Sequence, residues 1–212
     1  MIEYTALKTD VIGLLQIDTD DSDKFSIDTV INSSQDHLLN TLPARFLTNA
    51  IRTYLGNLEA DVWQYQFQTG YIRLLTMDVD YSSAISDTND GIEVRLVDDR
   101  SIKQIANVDL LPSTEHPIIS LGAEGGFELR PMPLADQTHG YRMRYIQRLP
   151  VISSTQNCLM RRSLRNLLMF YAAAIAAMIN NYSTERSGAL MALYTEELKT
   201  LLPKHDIRKE VL

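Results

Sequence analysis

Apolar positions near the start of the chain recur every three or four residues. Leu7, Val11, Leu14 and Leu15 mark a helix over 4–16. Ile27, Val30, Ile31, Leu38 and Leu42 mark a second, with Ser26 placed to cap its N-terminus. Pro43 interrupts. Leu47, Ala50, Ile51, Tyr54, Leu55 and Leu58 then form a third stripe, with Arg45, Asn49, Arg52 and Asn57 off it, and predict an amphipathic helix over 44–58.

The period changes at Trp63. From there to Gln68 aromatic residues alternate with Gln, the pattern of a strand with one buried and one wet face. Thr69-Gly70 punctuates it, and Tyr71–Tyr81 is β-branched and aromatic enough for a second strand. Ser82–Gly91 reads as a long polar, protruding loop, Ile92–Val97 as extended, and Ser101–Val108 as a short helix. Ile118–Leu121 and Phe127–Arg130 flank the turn residues Glu124-Gly125-Gly126 and predict a hairpin. After Gly140, Tyr141, Met143 and Tyr145 alternate with Arg142 and Arg144. Arg148 shares the arginine side, and Pro150 ends the strand.

Helical character returns in 159–180. Leu167–Ile179 carries no charge, is too short to cross a bilayer, and is apolar all round, so it is expected to be buried on every side. Its five alanines, Ala172, Ala173, Ala174, Ala176 and Ala177, permit close helix approach. Asn180-Asn181 ends it. Ser183 or Thr184 caps a last helix with Met191, Tyr194, Leu198, Leu201 and Leu202 inward, stopped by Pro203. Helices, antiparallel strands and helices in that order define an α+β chain. The expected architecture is a single domain over 1–212. Helices 4–58 and 159–202 pack together as a bundle, 61–150 is an inserted antiparallel β region, and 203–212 is a C-terminal extension.

Composition narrows the function. The 212 residues are 45% hydrophobic and 22% charged, an ordinary globular balance. One cysteine excludes an intrachain disulfide framework, no apolar run reaches the ~20 residues of a membrane span, and the N-terminus lacks a signal-peptide pattern. The expectation is a protein of a reducing cytoplasm. The net charge of −7 hides a gradient, from −6 over residues 1–40 to +3 over 151–212. That asymmetry suits head-to-tail contact between copies and equally a dipolar surface with no partner.

No catalytic constellation is evident. His37, His116, His139 and His205 are scattered, and no nucleophile elbow, phosphate-binding loop or metal-spaced His pair occurs. Cys158 opens a helical stretch, where a dipole lowers a thiol pKa, but a capping or packing role is expected. Asp18, Asp20, Asp21 and Asp23 lack the Gly and Glu of an EF-hand loop and read as a solvated turn. No enzyme, cofactor or metal is expected. Arg142, Arg144 and Arg148, with Arg161, Arg162 and Arg165, are the candidate basic face toward DNA or a neighbouring subunit. The acidic net charge opposes tight nucleic-acid binding. In the tail, Lys204, Ile207, Arg208, Lys209, Val211 and Leu212 alternate apolar with charged residues. They read either as a frayed terminus or as a partner interface that adds to a neighbour's surface.

Several stretches together resemble the head-to-tail adaptor (neck, or connector) proteins of tailed bacteriophages, especially short-tailed ones. They are the amphipathic helices expected at 27–42 and 44–58, Gly125-Gly126-Phe127-Glu128-Leu129-Arg130-Pro131-Met132-Pro133, Gly140–Pro150, and the long alanine-rich helix before a final helix. The resemblance covers most of the chain and brings no catalytic motif. It implies a structural virion protein, assembled in the host cytoplasm and placed in the neck. Copies of it would form a ring, a dodecamer, that joins the portal protein to the tail tube or nozzle and extends the channel through which DNA passes without sequence specificity. The alternatives are another tail-tube or capsid accessory protein and, less favoured, a nucleic-acid-binding regulator. No membrane partner is expected.

Overall fold

A computed structural model describes residues 1–16, 26–97, 112–122, 125–179 and 184–202. The expected turn at Asp18–Asp23, helix at 101–108, boundary at 180–183 and extension from 203 all lie outside the described residues. The fold is α+β, and its contacts group into two compact units. One is Met1–Ala50 with Arg148–Leu212, and the other is Ile51–Gln147.

The helical unit is built on α1 (Tyr4–Leu15), α2 (Ile27–Thr41), α3 (Arg165–Ile179) and α4 (Thr184–Leu201). Ser26 caps α2 by accepting from the Thr29 N–H at 3.2 Å. The stripe read from the sequence faces inward, since Ile27, Val30, Ile31, Leu38 and Leu42 are all buried. α1 lacks a local side-chain cap, and Asn157 supplies one from 153 residues away, accepting from the Tyr4 N–H at 3.1 Å. α3 packs against α1, α2 and α4, which accounts for its all-round apolar sequence. Its alanines allow the close approach in which Ser187 of α4 donates to the Ala174 carbonyl at 3.3 Å. Burial is not complete all round: Met169, Phe170, Tyr171 and Ile175 are half-buried, and at the C-terminal end Met178 and Ile179 are exposed. On α4 the inward residues are Ser187, Leu190 and Tyr194, while Met191, Leu198, Leu201 and Leu202 are only half-buried.

Residues 148–160 run back to α3 with no strand or helix, yet Leu149, Ile152, Cys158 and Met160 are buried. A buried backbone needs hydrogen-bond partners. α2 provides them. Asn32 donates to the Ile152 carbonyl at 3.0 Å and accepts from the Ile152 N–H at 2.7 Å, and Gln35 donates to the Pro150 carbonyl at 3.2 Å. Further along, Ile2 and Cys158 exchange two backbone hydrogen bonds at 2.9 and 3.0 Å.

The second unit is a pair of four-stranded sheets. One has the order β1 (Ile51–Leu58), β8 (Gln137–Gln147), β3 (Tyr71–Val79), β4 (Ile92–Glu93). The other has the order β2 (Gln64–Gln66), β7 (Gly126–Arg130), β6 (Ile118–Leu121), β5 (Arg95–Val97). All pairings are antiparallel except β5 with β6. The expected hairpin is β6–β7, with Leu121 opposite Phe127. Inner faces of both sheets meet in one core of Leu58, Tyr65, Met77, Val79, Ile119, Phe127, Leu129, Tyr141, Met143 and others. Tyr141 is its hub, in edge contact with Tyr65 and Phe127, both with ring centroids 5.6 Å away.

The predicted helix over 44–58 is corrected. Only Ala44–Phe46 turns, as a short 3₁₀ segment, and Ile51–Leu58 is strand β1. Its apolar spacing satisfies both periods, because Tyr54 and Leu58 are two steps of a strand as well as one turn of a helix. Pairing with β8 decides the matter. Between them stands Gly56, buried directly beneath the Tyr141 ring, so that a Cβ there would fall inside the ring. Gly also costs a helix interior about 1 kcal/mol against Ala. The β unit accordingly begins at Ile51 and not at residue 61.

Gly56→Ala is therefore expected to push Tyr141 off the sheet and destabilise the protein by about 1–3 kcal/mol, the usual cost of overpacking. Urea unfolding of the variant followed by tyrosine fluorescence measures it, and an unchanged midpoint would contradict the close packing.

Candidate functional site

The arginine strand is not a free basic face. β8 does present Tyr141, Met143 and Tyr145 to the core and Arg142 and Arg144 away from it. Arg142, however, lies opposite Asp78 of β3, and its guanidinium donates to Asp78 Oδ2 from Nε at 3.0 Å and from Nη2 at 2.9 Å. Nη2 also reaches Asp90 Oδ1 at 3.0 Å. These two carboxylates, Asp78 foremost, hold the guanidinium charged. Arg144, between Thr53 and Thr76 in register, is exposed.

The other four candidates belong to the helical unit. Arg148 pairs with Asp36 at 3.2 Å, and Arg161 donates to Thr48 Oγ1 at 3.1 Å. Arg165 is ion-paired with Asp10. Arg162 is exposed, and with Arg165 it lines a polar depression of about 660 Å³ shared with Glu3, Ser163 and Asn166. Of the six sequence candidates, three have a carboxylate partner among the described residues. The tail candidates Lys204, Ile207, Arg208, Lys209, Val211 and Leu212 lie outside the described residues.

Residues 82–91, read from the sequence as a protruding loop, form a hydrogen-bonded element together with Asp80. Asp80 directly follows β3 and accepts from the backbone N–H groups of Ser82 and Ser83 at 2.8 and 2.9 Å, from both serine hydroxyls, and from Asn89 Nδ2 at 2.8 Å. Burial alone raises this carboxyl, but the hydrogen bonds from Asn89, Ser83 and Ser82 outweigh it and hold Asp80 well below the usual carboxylate range. Ser86 and Asn89 close a tight turn through paired backbone bonds, and Ile85 is buried beneath it. Gly91 returns the chain at φ +71, hard against the Val79 carbonyl, where a side chain would be strained. Arg142, through Asp90, ties this loop to the sheet. Neither Asp78 nor Asp90 stands out in the sequence, because only strand register puts them around one arginine.

Two other titratable candidates, Cys158 and His37, are packed within the helical unit. Cys158 does not open a helix. It lies seven residues ahead of α3, fully buried, its Sγ 3.4 Å from Gln35 Oε1, and burial pushes the thiol up to about 11. His37 on α2 stacks on Tyr171 of α3, ring centroids 4.0 Å apart and 4° from parallel, and meets the Tyr194 hydroxyl of α4 at 3.3 Å. Among the described residues no group of three or more His, Cys, Asp or Glu is arranged to hold a metal ion, and no helix is long and apolar enough to cross a membrane. No protein-family model and no curated protein matches the sequence.

Two outcomes follow from this geometry. Arg142→Ala leaves the half-buried Asp78 without its cation and is expected to cost about 1–3 kcal/mol, whereas Asp90→Asn, at a carboxylate 82% exposed, costs under about 1 kcal/mol. Urea titration of both variants checks the order. For His37, burial lowers the imidazole pKa, so the folded chain resists a proton that the unfolded chain accepts. Stability contributed by neutral His37 is present above the ordinary value of 6.5 and is lost as pH falls through it toward the lowered folded value. Thermal midpoints between pH 7.5 and about 5 are expected to fall more steeply in the wild type than in His37→Phe; parallel slopes would refute the assignment.

Proposed function

We propose that this chain is a structural, non-enzymatic virion protein, the head-to-tail adaptor of a tailed phage. Copies of it form a dodecameric ring beneath the portal, extend the DNA channel and present a docking surface to the tail tube or nozzle. The supporting observation is architectural. Helices from the two ends of the sequence, α1 and α2 with α3 and α4, pack into one unit, and a sandwich with its own core is inserted between them in sequence. Helices, strands and helices follow in the order on which the resemblance rests, with the difference that Ile51–Leu58, expected as helix, is strand β1. A piece with two separately cored parts suits a protein whose work is to meet two different objects. The charge gradient suits heterologous contacts around a ring, and the acidic excess suits a channel that DNA slides through without adhering.

The self-neutralised arginines favour this reading over a nucleic-acid-binding regulator. Arg142, Arg148 and Arg165 each face a carboxylate of the same chain, which weakens the counterion release that drives binding to phosphate. Another tail-tube or capsid accessory role remains the alternative, and the location of the protein in the particle separates the two.

The deciding experiment mixes the purified protein with its portal and images the product. A closed ring with one copy per portal subunit is expected, together with no retention of the isolated chain on duplex DNA even at low salt. Absence of portal binding, or a stoichiometry that cannot close, overturns the reading. Steep salt-dependent DNA retention would favour the regulator instead.

A further inference from the structure

The two sheets present four edge strands, and three of them are short: β4 has two residues, β2 and β5 three each. Shortness is a usual defence of an open edge against pairing with another chain. β1 is different. It has eight residues, its backbone ladder joins β8 on one side only, and among the described residues no strand pairs with the other side. From Ile51 to Gly56 its register is unbroken, and the bulge comes only between Gly56 and Leu58. It contains no Pro and no Lys, and its one charged residue, Arg52, stands opposite Tyr145 on the face that Tyr54 and Gly56 share but is exposed to solvent. Thr53, Leu55 and Asn57 are exposed along its outer side, Leu55 by 39%.

We infer that this edge pairs antiparallel with β1 of a second copy about a two-fold axis. The strand is self-complementary. Residues directly opposite in such a pair share a face, so the axis passes through a residue and not between two. Centred on Leu55, the pairing sets Leu55 beside its own mate, Tyr54 opposite Gly56, Thr53 opposite Asn57 and Arg52 opposite Leu58. The exposed leucine finds apolar cover, and the two copies of the strand's one charged residue stand roughly 20 Å apart at about 3.4 Å per residue. Centring on Tyr54 leaves Leu55 facing Thr53 and loses that match. An isologous contact closes at two copies, so this surface is separate from any contact a cyclic ring uses and belongs to the chain away from the portal.

The test uses the full-length chain alone. Sedimentation of the wild type is expected to give twice the 24.1 kDa chain mass. Leu55→Lys replaces the apolar match at the axis with two like charges on side chains whose Cβ atoms lie about 5 Å apart, and is expected to halve that mass with an unchanged circular-dichroism spectrum. Should that variant fail to fold, Thr53→Lys on the same exposed edge carries the same expectation. Leu55→Cys is expected to form a disulfide-linked dimer on mild oxidation, since the native Cys158 is fully buried and does not compete. A wild type that stays monomeric at every concentration overturns the inference. So does a dimer that Leu55→Lys leaves intact, or a Leu55→Cys variant that does not cross-link. No portal enters the measurement, so its failure and a failure of the ring are distinguishable.

Discussion

The helical unit depends on solving one problem, how to bury four side chains carried on thirteen residues of irregular chain. Residues 148–160 carry four buried apolar side chains but belong to no helix or strand. An unpaired backbone amide or carbonyl left dry costs about 1–3 kcal/mol. The apolar face of α2 is therefore interrupted by polar residues where a simple amphipathic helix would stay greasy. Asn32 mimics a strand neighbour by pairing both backbone groups of Ile152, and Gln35 serves the Pro150 carbonyl and the Cys158 thiol at once. The N-terminus joins in, with Ile2 paired to Cys158 and Asn157 capping α1. Three segments distant in sequence are locked by the same requirement, and α3 then closes over them as the central helix.

The sandwich rests on a different device. β8 is its longest strand, pairs on both sides, and supplies Tyr141, Met143 and Tyr145 to the core. Gly56 leaves room for the Tyr141 ring to lie flat over the neighbouring strand, and Tyr65 and Phe127 of the opposite sheet meet that ring at its edges. Removing a side chain at one position thus lets aromatic groups from both sheets converge. The tyrosines in this cluster have their phenol pKa values raised by burial, which keeps them neutral and apolar in effect.

Much of this was legible in the sequence, and the parts that were not have physical reasons. α2 and its cap, the β6–β7 hairpin and the inward face of β8 follow from periodicity and turn chemistry, as does the α+β class. The segment 44–58 did not, because its apolar residues fit periods of both two and 3.6, and only the partner strand, far along the chain, chooses. Gly56 in its middle was the available local signal. The arginines were visible as a face, but their partners were not. Asp78, Asp90, Asp36 and Asp10 are set opposite them by register and helix packing, which composition does not encode. Polar residues 82–91 read as a loop because Ser, Asp and Asn mark loops, and the same residue types build a hydrogen-bonded element when the Asp80 carboxylate gathers them.

That last element has a consequence for recognition. A disordered loop that docks on a partner surrenders conformational freedom at the moment of contact, at about 1–2 kcal/mol per residue fixed. Around Asp80 that freedom is already gone before any partner arrives, since five hydrogen bonds to one carboxylate and a guanidinium strut through Asp90 fix the course of the backbone. The tip at Asp87 and Thr88 is thereby carried on backbone whose course is set within the chain itself, so contact there would call on fit more than on folding.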